Sequence, residues 1–354
     1  MPAATETGTR RFPSRGTFGI MAALNRFTPT DPGAGPARAR GIEATESELK
    51  RATIRSAMAA ERPLVTPLAH DALSARLIAR AGFHAFAIGG SAMLASRFAL
   101  PDLGLIGVSD MAAGIRDIAA ATPLPFFADG DDGYGGVKNV ARMVELYESI
   151  GVGAILIEDQ QGERKQQRAD RALGVVDRGV IETKLRVALA ERRDPDTYIV
   201  GRTDALGLLG LDEALRRGEA FAKLGCDGVF IAGIKTMDDY ERVGRELRGV
   251  RLSAAVFETA GMPWPSPADL GALGFVHVSY PATLLFRITA TMSAALATLR
   301  RHATGAEAMV PDRTADESRK VLDDALQLAR WQSIETAAAQ DAARLASPAR
   351  APAS

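Results

Sequence analysis

Between about residues 62 and 302, short unbroken apolar runs alternate with segments whose apolar positions recur every three or four residues. The runs are Leu64–Leu68, Ala85–Ile88, Pro125–Ala128, Ala154–Ile157, Tyr198–Gly201, Gly228–Ile231, Leu252–Val256 and Phe275–Val278. Continuous apolar character, without polar alternation, predicts strands buried on both faces of a parallel sheet. The helical periodicity predicts helices at Ala72–Ala81, Met111–Ala121, Val137–Ile150, Ile181–Ala190, Asp212–Leu224 and Met237–Leu247. Asp71, Ser109-Asp110 and Ser266-Pro267 supply start signals, and Gly82, Gly151 and Gly225 supply stops. Eight strands alternating with helices predict a (β/α)8 TIM-type barrel with extra N- and C-terminal helices. An open doubly wound sheet is the alternative, weakened because no G-x-G-x-x-G turn follows the first strand.

The same patterning divides the chain into an N-terminal arm over 1–44, a catalytic barrel over 45–304 and a helical extension over 305–354. Thr45–Ala60 reads as a leading helix opened by the capping-box spacing Thr45-Glu-Ser-Glu48. Asp316–Leu345 reads as helical, and Pro281–Leu299, which carries Arg287, reads as a buried helix and not a membrane span. The first 41 residues hold six Arg against Glu6 and Asp31, which fits either an Ala/Gly/Pro-rich disordered tail or a transit peptide.

Charge narrows the function classes. Lys+Arg and Asp+Glu both number 43, so neither nucleic acid nor an anionic membrane is the expected partner, since both call for a basic surface. One cysteine, Cys226, excludes an intramolecular disulfide framework and a Cys-rich zinc site, and it fits a reducing, cytoplasmic location. Cys226 stands just before the sixth strand, at the far rim from the expected site, and reads as a small core residue. Among the histidines, only His70, after the first strand, is placed to reach the mouth. His84 and His277 read as satisfied core or rim groups and His302 as a surface residue.

Barrel enzymes carry their chemistry at the carboxyl ends of the strands. There the second strand ends in Gly89-Gly90-Ser91-Ala92, the third in Asp129-Gly-Asp131-Asp-Gly-Tyr134-Gly135 and the fourth in Glu158-Asp-Gln160. The fifth ends in Arg202-Thr-Asp204, the seventh runs into Glu258 and the eighth into Tyr280-Pro281. Asp129, Asp131 and Glu158 crowded in one mouth would repel one another and call for a cation. All-oxygen ligation selects a hard ion, Mg²⁺ or Mn²⁺, with some carboxylates acting through its waters. An acidic turn without metal is the plainer alternative. Arg202 can clamp a carboxylate or phosphonate with its planar fork, or form a structural ion pair with an acid of the fourth strand. The two glycines before Ser91 would let backbone N–H groups approach an anion.

These motifs, together with Asp71-Ala-Leu-Ser-Ala-Arg76, Pro101-Asp102-Leu-Gly104 and Asn139-Val140, resemble the isocitrate lyase / phosphoenolpyruvate mutase superfamily over roughly residues 62–300. The resemblance implies an α/β barrel, a homotetramer whose last barrel helix is exchanged between subunits, Mg²⁺, and a small 2-oxo or 2-hydroxy acid substrate. It implies metal-site roles for Asp129, Asp131 and Glu158, with Asp102 supporting the metal's waters. It implies a carboxylate cradle at Gly90, Ser91 and Ala92, a substrate clamp at Arg202, and positions near the mouth for Glu258 and Tyr280.

The chain departs from that pattern in the loop after the fourth strand. Isocitrate and methylisocitrate lyases carry Lys-x-Cys-Gly-His there, whereas this chain reads Gln161-Gly-Glu-Arg-Lys-Gln-Gln-Arg-Ala-Asp170. The mutase-type Pro-Lys-Thr-Asn loop is missing too, and Ala255 stands where many members carry Asn. A carbon–carbon lyase working through a pyruvate-type enolate is therefore expected, and not a standard isocitrate lyase. P–C bond chemistry and a non-catalytic binding barrel are the alternatives. Tyr134, His70 or a residue of the loop are the candidate bases, with Arg164 or Lys165 as a loop cation.

Overall fold

A computed structural model describes residues 51–161, 174–259, 261, 263–308 and 310–346. The expected N-terminal arm, the Thr45 capping box and the loop cations Arg164 and Lys165 lie outside the described residues. The eight strands are β1 (Leu64–Pro67), β2 (Phe86–Ile88), β3 (Phe126–Asp129), β4 (Ala154–Glu158), β5 (Tyr198–Thr203), β6 (Gly228–Ile231), β7 (Leu252–Ala255) and β8 (Phe275–Tyr280). All pair in parallel in the order β1-β8-β7-β6-β5-β4-β3-β2. A parallel bridge between Leu68 and Ala87, with Ala69 N–H donating to the Ala87 carbonyl at 2.8 Å, joins β1 to β2 and completes the (β/α)8 barrel.

Helix α1 (Ile54–Ala60) precedes β1 and is capped by Thr53, whose hydroxyl accepts from Ser56 N–H. The helices that follow are α2 (Ala72–Arg80), α3 (Gly90–Phe98), α4 (Val108–Ala119), α5 (Val137–Ile150), α6 (Arg178–Glu191), α7 (Leu206–Leu209) and α8 (Leu211–Leu224). After β6 come α9 (Met237–Glu246), α10 (Pro267–Ala272), α11 (Thr283–Ala303), α12 (Ala315–Ala325) and α13 (Leu328–Ala346). Asp71 caps α2 and Ser266 caps α10 with Pro267 in its first turn, while Gly151 and Gly225 end α5 and α8 in the left-handed conformation.

The expected helix starting at Met111 begins three residues earlier. Its cap is Gly107, whose N–H donates to Asp110, so Ser109-Asp110 lie inside the first turn. The periodicity also overlooked α3, which closes the segment after β2. The C-terminal pattern is two helices, because the backbone turns left-handed at Gln327. Arg76 and Arg80 on α2 hold Ala325 and Asp324 of α12.

Two packing layers fix the strand ends. Outside the barrel, Phe86, Phe126, Tyr147, Ile157, Leu185 and Phe221 fill the space between strands and helices. Inside, Leu64, Ala87, Phe127, Ala154, Tyr198 and Val200 close it from below. Full burial of each large apolar side chain contributes roughly 1.5–3 kcal/mol, so strand register is set by packing on both faces. One expectation is not met within this chain: α11 has no buried residue. Phe286, Ile288, Met292, Leu296 and Leu299 stand 41–62% exposed. Its apolar content answers to something other than this chain's core.

Candidate active site

The carboxyl ends of the strands surround a cavity of about 390 Å³. Its walls include Gly89, Ser91, Asp102, Asp129, Gln160, Arg202 and Asp204, over a floor of Phe127 and His277. Asp129 is the last residue of β3. Its Oδ2 accepts from Gly90 N–H at 3.1 Å and its Oδ1 from Asp131 N–H at 3.0 Å. A Cβ on Gly90 would stand 3.1 Å from Asp129 Oδ2 and 3.7 Å from Asp102 Oδ2, so the glycine lets two carboxylates converge on the start of α3. Asp131 adopts φ +50°, a left-handed conformation that Asp tolerates better than most residues. With Asp102, Gly90, Gly104 and Tyr134 it lines a small crevice beside the main cavity, and Asp102 belongs to both. The Asp131 carbonyl accepts from Glu158 N–H at 2.9 Å, which ties the β3 turn to the end of β4.

Register places Glu158 directly beside Arg202 on β5. Glu158 is 2% exposed and lies 2.8 Å from Arg202 Nη1. Arg202 Nε and Nη2 donate to the two oxygens of Asp204 at 2.9 and 3.0 Å, and the guanidinium lies over the Phe230 ring. Burial opposes the charge on Arg202, but the fields of Asp204, Glu158 and Asp129 outweigh it and hold its pKa well above the ordinary arginine value. Both sequence readings of Arg202 therefore meet in one side chain, which lines the cavity and is also an ion-pair partner of the strand-four acid.

Asp204 and Gln160 carry no assigned role at the sequence level. Positions two apart on a strand share a face, so Arg202 on β5 with Asp204 just after it, and Glu158 ending β4 with Gln160 just after it, were the available signal. Gln160 Nε2 donates to Asp204 Oδ1 at 2.8 Å. A carboxylate takes only the amide's N–H, so Gln160 Oε1 is the other end. That oxygen is buried without a hydrogen-bond partner, on a side chain that lines the cavity. The intervening residues form a separate buried network. Asp159 accepts from Thr203 Oγ1 at 2.6 Å, Asp204 N–H at 2.8 Å and Arg217 Nη1 at 2.8 Å. On the third strand's loop, the buried Lys184 Nζ of α6 donates to the Asp132 carbonyl at 2.6 Å.

Other expected residues face elsewhere. Tyr134 lines the crevice, but its hydroxyl is bonded to the Tyr147 hydroxyl at 3.0 Å, and Tyr147 donates in turn to the Asp129 carbonyl at 2.9 Å. Burial and the neighbouring Tyr147, Asp129 and Asp131 push the Tyr134 pKa well up, which disfavours its use as a base. Glu258 is exposed and held by Arg287 of α11 at 2.7 Å, and it does not line the cavity. Tyr280 packs against Trp264 and lines a groove between α2 and α11, while the next residue, Pro281, reaches the mouth. His70 lines that same groove, with Nε2 3.7 Å from Asp71, so it does not reach the mouth. His84 is exposed. His277 is satisfied as expected, by Thr66 at 2.8 Å and Ser253 at 3.1 Å, and stacks on Phe127. Cys226 lies at the opposite rim, where burial and Asp227 push its thiol up to about 12.

Gly90, Ser91 and Ala92 form the first turn of α3, whose leading N–H groups have no partner within the helix. Ser91 lines the cavity, and Gly90 N–H already serves Asp129. Ala92 is buried, and its backbone N–H is the donor it could offer a ligand. Among the described residues, no three of His, Cys, Asp and Glu stand close enough to enclose a metal directly. The premise that three acids stand uncompensated also changes, since Glu158 is paired with Arg202. Carboxylates from Asp102, Asp129 and Asp131 and the Gln160 carbonyl still supply only oxygen donors. That set fits a hydrated hard cation such as Mg²⁺, which keeps several waters and takes one or two carboxylates directly.

The chain as a whole is similar to proteins of known family. The family profile described as phosphoenolpyruvate phosphomutase matches residues 54–300. The chain is 34% identical over 243 residues to 2,3-dimethylmalate lyase of Eubacterium barkeri, covering 68% of this chain and 83% of that one. A structure of oxaloacetate acetylhydrolase in complex with the inhibitor 3,3-difluorooxalacetate superposes with TM-score 0.71 at 27% identity, over 81% of this chain and 96% of the other. Phosphonopyruvate hydrolase in complex with oxalate and Mg²⁺ superposes with TM-score 0.67 at 27% identity, over 80% and 96%. The barrel, its acidic strand ends and these matches together make the chain a member of the phosphoenolpyruvate mutase / isocitrate lyase superfamily.

Proposed function

We propose that this protein is a carbon–carbon lyase that cleaves a small 2-oxo or 2-hydroxy di- or tricarboxylic acid through a pyruvate-type enolate, with Mg²⁺ or Mn²⁺ as cofactor. The observation that carries it is that Arg202, Asp102 and Asp129 together line one cavity of about 390 Å³, a volume suited to a small acid. Its relatives' substrates, dimethylmalate and oxaloacetate, are acids of this class.

The remaining N–H groups of Arg202 and the first turn of α3 at Ser91 and Ala92 orient the substrate's carboxylates, which supplies proximity. Asp204 and Glu158 hold the guanidinium plane while it does so. Asp131, Asp129 and Asp102, with Glu158 behind them, would hold the divalent ion. When bound, that ion stabilises charge developing on the substrate's 2-oxygen. Phe127, Leu156 and Phe230 keep the lower cavity apolar, which strengthens each of these charge interactions. Tyr134 is assigned the positioning of the Asp129 turn and not proton transfer.

The decisive experiment is a screen of 2-oxo and 2-hydroxy acids with Mg²⁺, reading pyruvate and glyoxylate release against phosphate release. Release of pyruvate or glyoxylate from a carboxylic acid is expected. Phosphate release from phosphonopyruvate alone would move the assignment to P–C chemistry, and silence on every acid would favour a binding barrel. The exposed apolar face of α11 supports a homotetramer with this helix exchanged between subunits, which light scattering of the full chain would test. No helix among the described residues is long and apolar enough to cross a membrane, and a cytoplasmic location is part of this proposal.

A further inference from the structure

At the opposite end of the barrel, among the strand beginnings, lies a second cavity of about 640 Å³, larger than the mouth. It is lined by Arg55 and Arg62 near α1, Arg251 just before β7, and Tyr198, the first residue of β5. Among the described residues, no acidic side chain lines it. Met58, Pro63 and Phe275 give it an apolar wall.

The charges there are poorly balanced. Asp227 pairs with Arg55, but it also pairs with Arg192 and accepts from Ile199 N–H, so one carboxylate is divided between two guanidiniums. Arg62 and Arg251 are both exposed to solvent. Tyr198 is 1% exposed, and its hydroxyl has no hydrogen-bond partner. A buried hydroxyl without a partner costs roughly 1–3 kcal/mol, which is an unusual feature to keep beside a cavity. The Arg55 guanidinium lies over the Tyr198 ring at 5.2 Å. Burial, opposed by Arg251 and Arg55, pushes the hydroxyl up to about 12, so it remains an O–H donor at physiological pH.

We propose that this N-terminal cavity is a second ligand site, separate from the catalytic mouth, that takes a small phosphorylated metabolite. The three arginines are donors only and the protonated Tyr198 hydroxyl can add a fourth donor, which selects an oxyanion. A phosphate ester carries about −1.5 to −2 charge and three acceptor oxygens, and so answers several guanidiniums better than one carboxylate does. The apolar wall leaves room for the organic part of such a molecule.

Calorimetric titration of inorganic pyrophosphate into the full chain at low ionic strength tests this, with the single variants Arg62→Ala and Arg251→Ala. Among the described residues neither side chain makes an ion pair, so both variants should fold and keep their basal turnover. Saturable pyrophosphate binding is expected, weakened at least about tenfold in each variant. Tyr198→Phe should weaken it several-fold while keeping the ring packing. Absence of binding, or binding equal in wild type, Arg62→Ala and Arg251→Ala, would overturn the site. If the two variants lose citrate binding but not pyrophosphate binding, the phosphate assignment is overturned.

Discussion

Replacing Arg202 by Lys is the most searching perturbation of the mouth, because charge is kept and only the fork is lost. The guanidinium donates through Nε and Nη2 to Asp204 at 2.9 and 3.0 Å and reaches Glu158 through Nη1 at 2.8 Å. A lysine ammonium is one compact centre and cannot span both carboxylates. Hydrogen bonds to charged groups contribute roughly 1.5–3 kcal/mol each. Loss of the paired contact to Asp204 should therefore lower stability by about that amount and let the cation drift from the substrate position. At about 1.4 kcal/mol per decade, the same loss of orientation corresponds to a fall of roughly 10–100-fold in kcat/KM. Arg202→Met should be worse, since it leaves Glu158 and Asp204 buried without their cation, a cost of about 3–5 kcal/mol. Urea unfolding curves and steady-state release of the keto-acid product read the two effects separately. A Lys variant within about twofold of wild-type kcat/KM, with an unchanged urea midpoint, would refute the clamp.

Three more substitutions probe the rest of the site. Asp131→Ala should abolish Mg²⁺-dependent turnover while far-UV circular dichroism stays native; persistent turnover would remove Asp131 from the cation site. Tyr134→Phe should keep most of the activity, with a flat change across pH, because the hydroxyl serves Tyr147 and not the cavity; a loss of about a hundredfold or more would restore it as a proton carrier. His277 is buried and neutral, its pKa brought down by burial to about 3, against about 6.5 when unfolded. The unfolded chain thus binds the extra proton first, and stability should fall as pH drops from about 6.5 towards 3. In His277→Asn that component should be missing from urea midpoints measured across this range, and an unaltered pH slope would contradict it.

The barrel was readable because parallel strands are covered on both faces, so each appears as an unbroken apolar run that no surface helix would show. The rule that chemistry sits at strand ends pointed to Asp129, Asp131, Glu158 and Arg202, and the fold gathers them at one end of the barrel. It could not tell where each side chain points. Tyr280 and Pro281 are neighbours, yet one packs outward on Trp264 and the other reaches the mouth. Glu258 has the right address but a nearer partner in Arg287, whose helix lies remote in sequence. Composition likewise does not separate a helix buried in its own chain from one whose apolar face is exposed, and α11 was misread for that reason.

Asp204 stayed unassigned for a related reason: its role exists only through register. With Glu158 opposite Arg202, alternation sends Glu158, Gln160, Arg202 and Asp204 inward and Asp159 and Thr203 outward. A slip of one residue would exchange the two sets, turning Asp159 into the mouth and away from Arg217 on α8. Asp204 belongs to both networks, since its backbone N–H serves Asp159 while its carboxylate holds Arg202 and Gln160. The outer pair, with Asp159 fully buried and Arg217 nearly so, therefore anchors the residue that orients the clamp. Strand register is in this way a functional variable, and the two buried charge networks on either side of β5 make any other register costly.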